Sequence, residues 1–220
     1  MTRRILVACE CSGVVRQAFA ARGWDAWSCD LKPTEQPGQH IQGDALEAIR
    51  NRGPWDVLIA HPECRFMCSS GLHWNWMEGR AEKTEEALQF TMDLFKCGVP
   101  RIALENPVGC IGTRICASTQ SIQPYEFGDD ASKKTHLWLI GLPPIIVDPR
   151  KRFPGRKVVW PPGSGKIVER WSNQTDSGQN REGPSKERSA IRAKTYPGIA
   201  NAMADQWSDE RIYVVGPGLF

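Results

Sequence analysis

The sequence lacks any long hydrophobic segment and any recognisable export signal. No apolar run approaches the roughly 18 residues that a membrane-spanning helix needs. The basic start Thr2-Arg3-Arg4 leads directly into a short strand-like run instead of a signal-peptide core. We therefore expect a cytoplasmic protein that does not contact a membrane. Its 220 residues, 40% hydrophobic and 24% charged, suffice for one main globular domain.

Paired Cys-x-x-Cys spacing is also absent, although the chain contains eight cysteines. Disulfide frameworks are typical of small secreted chains, so we interpret these cysteines as free thiols. A zinc site is the alternative, because His61, Cys64, Cys68 and His73 lie close together in the sequence. Without the paired spacing that zinc sites use, we predict no metal.

A strong net charge is lacking as well, since the formal value is only +3, but the charge is unevenly distributed. Twelve Lys and Arg lie between Arg150 and Lys194, against four Asp and Glu. A polyanion is expected to meet this basic segment. Because residues 148–197 are too polar to form their own core, we predict a basic loop or minimal insertion there. Residues 1–147 and 198–220 would form the main domain.

Short apolar runs alternate with segments of helical spacing over most of the chain. Helices are predicted after Gly13 and over 80–95 and 199–207. Strands are predicted at 5–8, 26–29, 40–42, 55–60, 101–105 and 136–140, with a final edge strand at 211–215. This alternation predicts a Rossmann-like α/β fold with a mostly parallel sheet and helices on both faces.

Chemically useful residues follow several of these strands. In an open α/β sheet, ligands bind beyond the carboxyl ends of the strands. An acid after the second strand, Asp30, is well placed to hold a ribose hydroxyl pair, and Asp44 after the third can reach an adenine amino group. Each acid alone also has an ordinary structural interpretation, because Asp and Gly end many strands.

Taken in order, the motifs resemble the cytosine-5 DNA methyltransferase family across nearly the whole chain. Residues 56–64 resemble the strand that leads into the family's Pro-Cys nucleophile loop, and 103–108 are similar to its Glu-Asn-Val motif. Residues 133–141 resemble the strand that carries two arginines, and 199–204 the closing helix. The resemblance implies an S-adenosylmethionine-dependent methyltransferase fold, in a compact member of the phage or prophage type.

The resemblance also implies roles for individual residues. Cys64 would add as a thiolate to C6 of cytosine, so that C5 can attack the sulfonium methyl group. Glu105 would hold or protonate N3, best with a raised pKa, and Asn106 would keep its loop in place. Either a helix N-terminus or Lys134 and His136 would favour the thiolate, and Lys134 could also orient Glu105 or the base. The implied cofactor site consists of Cys9, Glu10, Cys11, Ser12, Gly13, Asp30, Asp44, Ala45, His61, Pro62 and Asn201.

Some positions depart from the family pattern. Glu10 and Ser12 stand where glycines are usual in the turn after the first strand. Glu63 stands where the family has proline, and a carboxylate beside a thiol raises the thiol pKa. Cys64 also has an ordinary alternative as a small buried side chain.

The resemblance implies duplex DNA as the partner, and no obligate protein partner is predicted. Only about sixty residues separate His136 from Asn201, so we expect a short or relaxed sequence preference. Aromatic contacts to bases are expected from Trp160 and Trp171, and Trp74 or Trp76 could fill the gap left by a flipped base. A solvated basic loop is the alternative. Phosphate contacts are predicted for Arg152, Arg156, Lys157, Lys166, Arg170 and Arg188.

Three functions therefore stay open. The first is methylation of cytosine C5 in DNA. The second is the same chemistry on a pyrimidine nucleotide, or transfer of another one-carbon group. The third is a DNA-binding protein that keeps the fold without turnover.

Overall fold

A computed structural model describes residues 2–183 and 195–214. Seven strands form its main sheet: β1 (Arg4–Ala8), β2 (Asp25–Asp30), β3 (His40–Gln42), β4 (Val57–Ala60), β5 (Ile102–Pro107), β6 (Gln120–Ile122) and β7 (Thr135–Ile140). Their order across the sheet is β3-β2-β1-β4-β5-β7-β6. Strands β1 to β5 pair in parallel, whereas β7 is antiparallel to both β5 and β6. Six of the seven strands thus run in one direction.

The central strands are buried on both faces, which explains their continuous apolar runs. All four residues of β4 and residues 5–8 of β1 have no exposed surface. A parallel sheet covered on both sides requires such sequences. The predicted Rossmann-like α/β class with a mostly parallel sheet is confirmed.

Helices cover both faces of the sheet. They are α1 (Val14–Ala20), α2 (Ala45–Arg52), α3 (Ser69–Leu72), α4 (Arg80–Phe95), α5 (Ile111–Arg114), α6 (Pro197–Trp207) and α7 (Arg211–Val214). Side chains of α1 and α6 join the core on one face, and those of α2 and α4 join the core on the other. Over the described ranges, no helix combines the length and apolarity needed to cross a membrane.

Two predicted strand boundaries are corrected. Strand β5 continues through Asn106 and Pro107, because these residues pair with His136 and Thr135 of the antiparallel β7. The predicted edge strand at 211–215 is wrong, since residues 211–214 form a helical turn and 215 lies outside the described residues.

The basic segment contains a small hairpin of β8 (Arg156–Val159) and β9 (Ile167–Arg170). Just after β9, the buried Trp171 stacks on Tyr125 of the α/β domain, with ring centroids 3.9 Å apart. Through the adjacent Trp171, the hairpin thus packs against the larger domain.

Candidate active site

The predicted site residues converge on the carboxyl edge of the sheet. From β1 the chain passes to β2 and β3 on one side and later to β4 and β5 on the other, which makes β1/β4 the topological switch point. Asp30 and Asp44 therefore lie on one side of the 9–13 turn, and Cys64 and Glu105 lie on the other. Such a crevice is where open α/β sheets bind ligands.

The loop that carries Cys64 is attached to the loop that follows β5. Cys64 begins a 3₁₀ turn, and the amide of Cys68 donates to the Cys64 carbonyl at 2.8 Å. Cys68 then forms an antiparallel bridge with Gly109, and the Cys110 amide donates to the Met67 carbonyl at 2.8 Å. These bonds fix the two loops relative to each other. The sequence analysis missed Gly109.

The Cys64 thiol has a direct neighbour in Cys68. A side-chain hydrogen bond to Cys68, followed by burial, raises the pKa of Cys64, and the charge of Glu105 adds to this effect. The positive charge of Lys133 opposes it. The expected stabilisation of the thiolate by Lys134 and His136 is therefore corrected: the structure places a cysteine beside Cys64, and the nearby cation is Lys133.

Glu105 is an ionised carboxylate in this structure. Burial alone would raise the pKa of Glu105, but the charge of Lys133 and hydrogen bonds from His61 and Thr135 outweigh it, and the pKa falls to about 2. His61 Nδ1 lies 3.0 Å from Glu105 Oε2, and both side chains are almost fully buried. The prediction of a raised pKa is wrong, because the sequence did not reveal these partners.

Asn106 links the two strand ends directly. Its Nδ2 donates to the carbonyl of Pro62 at 2.8 Å, across the gap between β4 and β5. This bond agrees with the predicted role of Asn106 in holding its loop, and it also occupies the backbone carbonyl of Pro62.

Lys134 and His136 lie in a different environment from the one predicted. His136 Nδ1 lies 3.0 Å from Ser118 Oγ and 2.9 Å from Ser121 Oγ, on the side of β6. Burial and the charge of Lys134 lower the pKa of His136. Besides His61, the groups that act on Glu105 are Lys133, just before β7, and Thr135 in β7. Thr135 takes the place of His136 because alternate residues of a strand point to opposite faces.

Two buried polar atoms at this edge lack a partner among the residues that the structure describes. They are His61 Nε2 and Asn106 Oδ1. Leaving a buried polar atom unsatisfied costs about 1–3 kcal/mol. Such atoms are candidates for ligand contact, because native structures satisfy nearly all their buried polar groups.

Glu10 is part of the turn and supports α1. Its carboxylate oxygens accept from the amides of Val15 at 2.7 Å and Arg16 at 3.3 Å, and Ser12 Oγ donates to it at 3.2 Å. The side chains of Glu10 and Ser12, which were predicted to bind a cofactor, thus stabilise the start of α1. Gly13, at φ +73°, allows the sharp turn before that helix.

Arg16 organises the segment after β2 and was also missed. Its buried guanidinium donates to Ser28 Oγ at 2.9 Å and to the carbonyls of Gln36 and Pro37 at 2.8 and 2.9 Å. The Glu35 amide meanwhile donates to the Cys11 carbonyl at 2.8 Å. The segment 31–39 is therefore folded against the 9–13 turn. In the sequence, an arginine among the apolar residues of α1 is the feature that could have identified Arg16 as a buried, structurally important side chain.

Carboxylates dominate the electrostatics beside this turn. Burial, followed by the charges of Asp30, Asp44 and Glu63, raises the pKa of Cys9 to about 12; the neighbouring Cys29 contributes as well. The negative field that opposes a thiolate at Cys9 would favour a cationic ligand. Directly after Asp30, the side chain of Leu31 is 76% exposed.

Other predicted cofactor residues are placed differently. Asp44 caps α2 by accepting from the Glu47 amide at 2.9 Å, and Ala45 is buried in the first turn of that helix. Asn201 Oδ1 accepts from Arg22, which follows the C-terminal end of α1, at 3.3 Å. Asn201 thus interacts with the end of α1 remote from the 9–13 turn, which corrects its assignment to the cofactor site.

The arginines predicted to contact phosphate are mostly engaged within the basic segment. Arg152 pairs with Glu169, Arg156 pairs with Asp176 at 2.7 Å, and Arg170 donates to the carbonyl of Asp176 at 3.0 Å. Lys157 and Lys166 are exposed, whereas Arg188 lies outside the described residues.

The aromatic side chains divide into buried and exposed groups. Trp171 is buried against Tyr125, so its predicted stacking on a base is corrected, and Trp160 is half-buried. Trp74 and Trp76 precede α4 and are 48% and 74% exposed, with ring centroids 6.2 Å apart.

A separate groove of about 560 Å³ lies between α4 and α5. Its lining includes Phe90, Met92 and Ile115 but no residue of the predicted site. Within the described part of the chain, no group of three or more His, Cys, Asp or Glu is arranged to hold a metal. All eight cysteines lie in that part and are free thiols.

No family model and no curated protein matches this chain. One similar solved structure is that of a protein named as a DNA modification methyltransferase encoded within a prophage of E. coli. The two share 12% sequence identity at a TM-score of 0.39, over 63% of this chain and 46% of the other. The aligned part thus spans less than half of that protein, and this similarity is too low to bear on activity.

Proposed function

We propose that this chain transfers a methyl group from S-adenosylmethionine to C5 of cytosine in DNA, with Cys64 as the nucleophile. The observation that carries the proposal is the junction of the two motif loops. Asn106 binds the Pro62 carbonyl and His61 binds Glu105, so the Cys64 loop and the Glu-Asn motif form one hydrogen-bonded unit.

The chemistry needs a thiolate and a partner that holds the base by hydrogen bonds in a confined site. Sulfur adds to C6 of cytosine, and the electron pair displaced toward C5 attacks the methyl group. Cys64 is half-buried, with Lys133 as the nearby positive charge that favours its thiolate. In its ionised form, Glu105 would accept a hydrogen bond from the exocyclic amino group of cytosine.

The residues beside β1, β2 and β3 fit the cofactor. When bound, S-adenosylmethionine supplies an electrophilic methyl group on a positively charged sulfur. The carboxylates of Asp30, Asp44 and Glu63 produce the negative field that suits this charge. The exposed Leu31 beside Asp30 offers an apolar surface for the adenine ring. Because Glu10 already binds the first amides of α1, we expect no cofactor carboxylate there.

Asp30→Asn is expected to weaken S-adenosylmethionine binding by about 10- to 100-fold, since a charge-assisted hydrogen bond contributes about 1.5–3 kcal/mol. Isothermal titration measures the change. The control is Asp93→Asn on α4, whose carboxylate binds Gln89. Equal affinity of wild type and Asp30→Asn would contradict the assignment of Asp30 to the ribose.

DNA would be held through the basic segment. Lys157 and Lys166 are exposed, and the described residues contain no ion pair that involves either. The positive charges of Arg152 and Arg156 are already balanced by the carboxylates with which they pair. We therefore propose that the two lysines contribute more to phosphate binding than these two arginines do.

Replacing both Lys157 and Lys166 by alanine is expected to weaken duplex binding for all sequences equally. The slope of log affinity against log salt should fall by about 2, roughly one for each lost phosphate contact. Fluorescence anisotropy at several salt concentrations measures it. Arg152→Ala is the comparison, and it should change the slope less, because Glu169 already neutralises Arg152. A larger effect from Arg152→Ala would contradict this ranking.

The proposed reaction is tested by incubating the protein with tritiated-methyl S-adenosylmethionine and duplex DNA, followed by analysis of the nucleosides. Label in 5-methylcytosine supports the proposal. Label in an exocyclic amino group would place the chemistry elsewhere, and label only in a free nucleotide substrate would favour the second alternative. Salt-dependent DNA binding without transfer would favour a protein that binds without turnover.

A further inference from the structure

His61 directly follows β4 at the candidate site, and among the described residues only one of its ring nitrogens has a partner. Its Nδ1 is 3.0 Å from Glu105 Oε2, while Nε2 is buried and has no partner in the described part of the chain. The backbone amide of His61 donates to the Ala8 carbonyl at 3.0 Å, which anchors the residue to the end of β1. His61 is thus held once through its backbone and once through its ring.

The tautomer of neutral His61 follows from this arrangement. Glu105 is ionised and can only accept, so Nδ1 carries the hydrogen and donates it. In neutral His61 the free Nε2 then bears a lone pair. A carboxylate on the far side of an imidazole fixes the tautomer and stabilises the charged form that appears when Nε2 takes a proton.

The source of that proton is constrained by the neighbours. Cys64 has its hydrogen-bond partner in Cys68, and no hydrogen bond between Cys64 and His61 is present among the described residues. His61 is therefore poorly placed to activate the thiol. His61 Nε2 is buried, has no partner among the described residues and lies three residues before Cys64 in the sequence. We therefore expect it to take a proton from a bound substrate.

We propose that His61 is the base that completes the reaction, a role that rests on the proposed function. After methyl transfer, the cytosine ring is joined to Cys64 through C6 and still carries a hydrogen on C5. Nε2 takes that proton, the C5–H electron pair re-forms the C5–C6 double bond, and the C6–S pair returns to Cys64 as thiolate. The resulting imidazolium is paired with Glu105, which acts as a positioning residue.

The test separates methyl transfer from proton removal. With 5-fluorocytosine in duplex DNA, addition and methyl transfer proceed but the fluorine cannot leave as a proton does, so a covalent complex persists. His61→Asn keeps an amide donor near the Nδ1 position and removes Nε2. This variant should form the 5-fluorocytosine complex at the wild-type rate. Its turnover on ordinary cytosine DNA should fall by about 10²-fold or more.

Two further readouts distinguish a base from a structural residue. On ordinary DNA, His61→Asn should accumulate a methylated covalent complex in denaturing gels, and deuterium at C5 should slow its turnover more than that of wild type. His61→Gln, which also lacks a basic nitrogen, provides the same comparison if His61→Asn does not fold. The exposed His73→Asn is the control and should behave as wild type.

Turnover of both folded His61 variants within threefold of wild type would overturn the inference. So would loss of the 5-fluorocytosine complex in step with turnover, because His61 would then act before methyl transfer. If wild-type protein forms no such complex, the proposed function itself fails, and this is seen without any variant.

Discussion

Cys64→Ser should abolish both the covalent complex with 5-fluorocytosine DNA and methyl transfer, by at least about 10³-fold. A serine hydroxyl at this position has neither the acidity nor the nucleophilicity of a thiol. The hydrogen-bond partner of residue 64 among the described residues is Cys68, which is not a base that could activate a hydroxyl. A denaturing gel of protein incubated with the modified duplex and cofactor shows the complex as a band of higher mass.

Cys68→Ser is the matched control, because it changes the thiol that contacts Cys64. The hydrogen bond to Cys68 is the largest cause of the raised pKa of Cys64. Removing that thiol should lower the Cys64 pKa, so alkylation of Cys64 by iodoacetamide should begin at lower pH while the DNA complex is retained. A complex that survives in Cys64→Ser and is lost in Cys68→Ser would reverse the two roles.

The general position of this site was accessible from sequence, because it depends on short-range patterns. Continuous apolar runs at 5–8 and 57–60 mark buried parallel strands, and ligands meet such sheets at the carboxyl ends. Cys64 follows β4, and Glu105 lies near the carboxyl end of the neighbouring β5, so their placement at one edge required only the order of these two strands.

The partners of these residues were not accessible in the same way, because they depend on register and on contacts between distant segments. In β7 a shift of one residue exchanges His136 for Thr135, since alternate side chains point to opposite faces, and in the segment just before it Lys133 acts in place of Lys134. The sign of the Glu105 pKa shift was wrong for the same reason. His61 lies 44 positions away, and nothing local indicates that it binds this carboxylate.

Long-range packing explains the other corrections. Trp171 suggested a base-stacking aromatic by composition, but it stacks on Tyr125, 46 positions earlier in the sequence. Glu10 was assigned to the cofactor site at a position where glycine is usual, but its carboxylate accepts from the first amides of α1. In both cases the residue type suggested contact with a ligand, whereas the side chain in fact contacts another part of the chain.

The attachment of the Cys64 loop to the loop after β5 depends on the absence of a side chain at Gly109. A Cβ at position 109 would lie 2.0 Å from the Met67 carbonyl oxygen and 2.7 Å from the Cys68 Cα. Both are backbone atoms, so the clash cannot be relieved by rotating a side chain. The loops must separate, and the Cys68–Gly109 bridge and the bond from Cys110 to Met67 are lost with them.

Gly109→Ala should therefore lower the free energy of unfolding by about 1–3 kcal/mol or more, as overpacking does. It should also reduce methyl transfer by about 10²-fold, because a displacement near 1 Å at a reactive group has that effect. Gly112→Ala is the control: position 112 lies in α5 with open space around it, and alanine in a helix should stabilise the protein by about 0.5–1 kcal/mol. Denaturant unfolding and a transfer assay measure both effects. A Gly109→Ala variant as stable and active as Gly112→Ala would show that the two loops need not be joined for Cys64 to react.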